Sequence, residues 1–144
     1  MLVRLLYASR AVGAIGPEIV DEILKRSQTH NPEHGITGVL CVYERGDVFL
    51  QVLEGGRSEI NRLYNNLLRD PRHQDVTLLD YAEISERRFS GWRMGRVDLS
   101  KVNMSVVLKY SERPRLDPFT ISGGAALALL EELISTAAVV SRSN

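Results

Sequence analysis

Residues 47–54 (DVFLQVLE) constrain this chain more than any other segment, because they read as a strand that is apolar on both faces. Successive side chains of a strand point to opposite sides of the sheet. Phe49, Gln51 and Leu53 therefore share one face, and Val48, Leu50 and Val52 share the other. A strand of this composition needs cover on both sides. The chain must then supply a sheet and two covering layers.

The flanking periodicities supply them. Residues 2–8 read as a strand, with Val3, Leu5 and Tyr7 on one face. Gly13, Gly16 and Pro17 mark a loop, with Pro17 suited to the first helical position. From Glu18 a helical stripe of Ile19, Val20, Ile23, Leu24 and Ser27 runs toward Asn31, where Pro32 disfavours further helix. Residues 36–43 and 47–54 are two β-rich runs joined by Glu44-Arg45-Gly46, the signature of a hairpin. Residues 57–69 form a second amphipathic helix with Ile60, Leu63, Tyr64, Leu67 and Leu68 on its apolar side. Residues 76–84 and 91–97 read as two further strands. The order β-α-β-β-α-β-β contains the split βαβ arrangement of the ferredoxin-like class, an α+β fold with a mixed sheet and two helices on one face. Beyond Asp98, a modest helix over 100–110, a proline-containing connector and an Ala/Leu-rich helix over 121–139 are placed to cover the other face. The expected organisation is a core over 1–97 and a helical extension over 98–144 that packs on its sheet.

Composition narrows the function. Lys plus Arg and Asp plus Glu each number 18, so the net charge is zero and the basic excess of a nucleic-acid or membrane-surface binder is missing. The single cysteine, Cys41, allows no internal disulfide, which fits a reducing, cytoplasmic setting. The most apolar stretch, 125–140, is interrupted by Glu131 and Glu132, so no bilayer span is expected. His30 and His34 are separated by Pro32 and have only His73 and Cys41 as further soft ligands, which is no zinc pattern. No phosphate-binding glycine loop and no nucleophile elbow is present.

A few residues sit uneasily in a plain core. Gln51 is a mid-strand amide that must find hydrogen-bond partners if buried, either as a satisfied core residue or as part of a site. Tyr7 ends the apolar face of the first strand, and its hydroxyl needs a partner too. Ile23, Ser27 and Asn31 step by four, so the first helix turns polar at its end. Asn31 is then either a helix cap or an amide at the mouth of a groove between the helices. Arg72 and His73 are either a solvated basic helix end or a phosphate clamp. Trp92 and Met94, on one face of the last strand, read as core residues when taken alone.

Taken in order, the segments RLLYAS, SQTHNPEHGITGVL, VFLQVLEG, LYNNLLRDPRH and RRFSGWRM resemble the BLUF family of flavin-binding blue-light sensors over residues 2 to about 97. Each segment is weak by itself, and the combination of NPxxGITG with FLQVLEG is specific. The resemblance implies FAD, with FMN as a variant, lying between the two helices. It implies a flavin-binding set of Tyr7, Ile23, Ser27, His30, Asn31, Phe49, Gln51, Leu53, Asp70, Arg72 and His73. Within that set Tyr7 resembles the electron and proton donor and Gln51 the amide that rearranges its hydrogen bonds. Trp92 and Met94 resemble the pair whose surroundings change with light. The further expectations are a photoreceptor without catalytic turnover, and a signal passed through the last strand and the C-terminal helices to a partner protein. A homo-oligomer, and no nucleic-acid or membrane partner, complete them. The residues beyond the core are too few for a separate output enzyme. The competing reading is a ferredoxin-like adaptor, or a small acylphosphatase-type enzyme, without flavin.

Overall fold

The computed structural model describes residues 1–13, 17–43, 47–98, 102–135 and 139–141. The elements are β1 (Leu2–Ala11), α1 (Pro17–His30), β2 (Thr37–Tyr43), β3 (Val48–Gly56), α2 (Arg57–Leu68), β4 (His73–Ile84), β5 (Gly95–Asp98), α3 (Met104–Leu108), α4 (Gly123–Ser135) and β6 (Val139–Ser141). The sheet has the order β4-β1-β3-β2-β5-β6. Both β1 and β2 pair antiparallel with β3, which lies between them, and β5 adds to β2 in parallel. This is the split βαβ arrangement and the mixed α+β sheet expected from the sequence.

Alternation along the strands divides the interior in two. Val3, Leu5, Tyr7, Leu40, Val42, Phe49 and Leu53 form one cluster with Leu24 of α1 and Ile60 of α2. Leu6, Ala8, Val39, Cys41, Leu50 and Val52 form the other, with Val107 of α3, Leu116, and Ala126, Leu129, Leu130 and Leu133 of α4. The C-terminal helices thus cover the second face of the sheet. Gly123 lets α4 start directly on β4: a Cβ at that position would lie 2.1 Å from the Leu79 carbonyl oxygen. Cys41 is fully buried in this second cluster, and desolvation pushes its thiol up to about 12.

The structure corrects several sequence expectations. β4 begins at His73 rather than Val76, and shifts of register against β1 allow the longer strand. The last strand of the core is shorter, Gly95–Asp98 instead of 91–97. The preceding residues form a turn in which the Trp92 N–H donates to the Phe89 carbonyl at 3.0 Å. Trp92 and Met94 consequently do not share a strand face. Met94 enters the cluster beneath α1 and α2, and Trp92 packs against the opposite one. α3 spans only Met104–Leu108, its first turn capped by the Asn103 side chain accepting from the Ser105 N–H. Of the final helix expected over 121–139, Gly123–Ser135 is helical, residues 136–138 lie outside the described residues, and Val139 belongs to β6, which pairs antiparallel with β5. The hairpin residues Glu44, Arg45 and Gly46, and Gly16 in the first loop, lie outside the described residues. Among the described residues no helix is long and apolar enough to cross a membrane.

Leu129 is wholly buried between α4 and the sheet. Leu129→Ala should lower the unfolding free energy by about 2–5 kcal/mol, measured by urea denaturation. A loss well below that range would show that α4 is not part of the cooperative core.

Candidate functional site

A cleft of about 490 Å³, open mouth included, lies between α1 and α2 with the sheet as its floor. Its lining is Tyr7, Ile23, Ser27, Asn31, Leu40, Phe49, Gln51, Leu63, Leu67, Asp70, Arg72 and His73.

The floor is set by strand register. Tyr7 of β1 stands opposite Gln51 of β3, and in antiparallel strands directly opposed side chains emerge on the same face. The Tyr7 hydroxyl donates to Gln51 Oε1 at 2.5 Å. The Gln51 amide N–H in turn donates to Met94 Sδ at 3.2 Å. All three residues are buried. Desolvation, then the negative charge of Asp70, pushes the Tyr7 hydroxyl well above its ordinary range, so it stays a proton donor. Its ring is held by Tyr64, with centroids 5.9 Å apart, and by the edge of His73 at 6.3 Å.

His73 also clips α2 to β1. Its Nε2 lies 2.6 Å from the Leu67 carbonyl oxygen and its Nδ1 lies 2.8 Å from Ser9 Oγ. A carbonyl only accepts, so Nε2 carries a hydrogen and donates it to Leu67. Arg72 folds its guanidinium onto Asp70, with Nε 3.0 Å from both carboxylate oxygens and Nη2 2.6 Å from Oδ2. The fork proposed for phosphate from sequence thus already holds a carboxylate. Beyond this pair an outer groove continues between the helices, lined by Glu22, Arg26, Asn66 and Arg69.

Asn31 supplies the other amide. Its backbone is fully engaged: its N–H donates to the Ser27 carbonyl, and its carbonyl accepts from the His34 and Ile36 N–H groups. Its side chain makes no capping hydrogen bond, yet the residue is buried and lines the cleft. A buried carboxamide so placed is ready for a ligand's donors and acceptors. With apolar walls from Ile23, Leu40, Leu63 and Leu67, the cleft fits a flat heteroaromatic ring with a polar, amide-like edge. The residues therefore fit a flavin.

Of the residues singled out from sequence, Tyr7, Ile23, Ser27, Asn31, Phe49, Gln51, Asp70, Arg72 and His73 come together in this lining. His30 is exposed at the end of α1, and Leu53 is buried in the cluster below the cleft, outside its lining. Met94 reaches the cleft floor through Gln51, whereas Trp92 faces the other layer. Leu40, Leu63 and Leu67 were not singled out, although the apolar stripe of α2 carried two of them. Among the described residues no group of His, Cys, Asp and Glu could hold a metal ion.

Comparison with known proteins agrees with this geometry. Residues 2–95 match the BLUF family, described as sensors of blue-light using FAD. The photoactivated adenylate cyclase subunit beta of Euglena gracilis is 33% identical over 94 residues, 65% of this chain and 11% of that protein. The blue light- and temperature-regulated antirepressor BluF of Escherichia coli (strain K12) is 31% identical over 101 residues, 69% of this chain and 24% of that protein. The chain thus spans only a small part of these relatives. Among solved structures, the dark state of BlrB, a BLUF protein, superposes with a TM-score of 0.77 at 30% identity, covering 94% of this chain and 96% of that one. The photo-activated state of BlsA superposes with a TM-score of 0.81 at 28% identity, covering 100% and 99%.

The Asp70–Arg72 pair carries a pH dependence. Hydrogen bonds from Arg72 hold the Asp70 carboxyl below its usual 3.8, against an opposing desolvation. A depressed native value stabilises the fold above the unfolded pKa, and that contribution disappears as pH falls through the native one. Asp70→Asn should therefore destabilise the protein near pH 7, by less than about 1 kcal/mol because the pair is partly exposed. The difference should vanish near pH 2. Denaturant midpoints at both pH values test this, and an equal offset at both would contradict it.

Proposed function

The chain belongs to the BLUF family of blue-light sensors that use FAD, and on that basis we propose that the cleft between α1 and α2 is the photosensory site. The observation that carries the reading is the unbroken hydrogen-bond chain from Tyr7 through Gln51 to Met94 along the cleft floor. A bound flavin supplies absorption of blue light and an oxidising excited state. Asn31 and Gln51 would hold its polar edge, and Ile23, Leu40, Leu63 and Leu67 its ring. Arg26, Arg69 and Arg72 line the groove open to a phosphate-bearing chain.

Tyr7 is the electron and proton source in this reading. Its hydroxyl already points its proton at Gln51 Oε1, so loss of an electron releases that proton along an existing hydrogen bond. Return of the electron and of the proton restores the phenol, and no net chemistry results. What persists is a changed arrangement of the Gln51 amide, whose present donor bond ends on a thioether, a weak acceptor. The rearranged amide then releases Met94, and the signal leaves toward β5 and the C-terminal helices. An interface with a partner protein, or with a second copy of this chain, would read it. That requires the interface to bind the two arrangements with different free energies.

Purified protein should be yellow, and blue light should shift its absorption reversibly to longer wavelength. Tyr7→Phe and Gln51→Leu should each keep the flavin and abolish the shift. A colourless protein that takes up no added flavin, or full shifts in both variants, would overturn the reading.

A further inference from the structure

Glu54 is the one fully buried carboxylate among the described residues, three positions beyond Gln51 on β3. Residues 51 and 54 have opposite parity, so Glu54 projects to the face opposite the cleft. Burial of a carboxylate is costly unless every lone pair is answered. Here Oε2 accepts from Arg4 Nε at 2.9 Å and from the Arg88 N–H at 3.1 Å, and Oε1 accepts from the Phe89 N–H at 2.7 Å. One side chain therefore joins β1, β3 and the start of the segment leading to β5.

That segment has no regular structure and is held at separate points. Arg87 Nη1 donates to Thr37 Oγ1 at 3.0 Å, and the Gly38 N–H donates to the Trp92 carbonyl at 3.0 Å. The Trp92 ring lies so close to Gly95 that a Cβ there would be 2.2 Å from it. The segment ends at Met94, whose sulfur accepts the Gln51 N–H. Hydrogen bonds to an ionised carboxylate are far stronger than one to a thioether. The segment is thus held by an ionised carboxylate at residues 88–89, while at 94 its link to the Gln51 amide is a bond to sulfur. At the carboxylate-held end Arg88 also pairs with Glu131 of α4.

We propose that Glu54 is a positioning residue for the light response: by holding the Arg88 and Phe89 N–H groups it pins residues 88–94 and so keeps Met94 against the Gln51 amide. The proposal rests on the reading of the cleft as a flavin photosite. Its consequence is kinetic. With the segment pinned at one end, displacement of Met94 is confined and the Gln51 side of the cleft stays closed to water. With the pin weakened, water reaches the Tyr7–Gln51 pair and supplies an extra path for proton return.

The test compares flavin-loaded wild type with Glu54→Gln and the double variant Arg4→Met/Glu54→Gln. The amide introduced by Glu54→Gln retains one acceptor oxygen, so one loop N–H loses its bond. Glu54→Gln should return to the dark spectrum about tenfold faster, the rate change expected for loss of one hydrogen bond to a charged group. Fluorescence of Trp92, the only tryptophan, should shift to longer wavelength already in the dark. The double variant leaves no unpaired buried charge, and should recover as fast as Glu54→Gln. On the unsubstituted protein, the Arg88 and Phe89 amides should stay protected from hydrogen exchange under illumination while the amides of residues 92–94 lose protection. Wild-type recovery rates in both variants that carry Glu54→Gln, or loss of protection at 88–89 together with 92–94, would overturn the proposal while the photosite reading stands. Absence of any light-induced shift in wild type would instead remove the reading on which it rests.

Discussion

The register of β1 against β3 is the constraint on which the rest of the molecule depends. It sets Tyr7 opposite Gln51, and with them every odd-numbered side chain of the two central strands on the side of α1 and α2. A slip of one residue would turn the side chains of one strand to the opposite face, leaving the phenol and the amide on different sides of the sheet and burying neither apolar set correctly. The register is guarded from both faces, because each presents an apolar set that only one pairing buries. It is further fixed by Arg4 and Glu54, directly opposed in the same ladder, whose ion pair no slipped pairing could form.

Polar groups within this apolar frame are few, and their bonds are unequal in strength. The carboxylate of Glu54 collects donors from β1 and from the segment before β5. The amide of Gln51 accepts one short bond from Tyr7 and gives a long one to sulfur. The first set of bonds is charge-assisted and the second ends on a weak acceptor. A sensing device needs both, because a change at the weak point is transmitted only if the surrounding frame stays put.

Much of this was legible in the chain. Alternation over 48–54 and the two helical stripes fix the layer order, since each period leaves one geometry that buries its apolar residues. Tyr7 and Gln51 were visible as polar groups on apolar faces. The region around 91–97 was misread because Trp, Met and Val look like strand residues by composition. Its path is decided by contacts that no local pattern encodes: the Gly38 N–H, the open surface of Gly95 and the carboxylate of Glu54. Glu54 itself drew no notice, since a glutamate after an apolar run reads as the solvated end of a strand. Val139 was read as helix because Ala/Leu-rich sequence carries helix propensity, whereas β5 offers it an edge to pair with.

The position of Cys41 also bears on the kind of photochemistry this cleft can host. Leu40, its neighbour on β2, lines the cleft, so alternation turns the chain's only thiol to the far side of the sheet. There it is sealed from the ligand side and held protonated by its surroundings. A cysteine one residue earlier would line the cleft, where a thiol could add to a flavin held there. With the thiol placed as it is, no cysteinyl bond to the chromophore can store the light signal. In the photosite reading proposed above, the memory of illumination is then left to the orientation of an amide, and its persistence is set by hydrogen bonds rather than by the breaking of a bond.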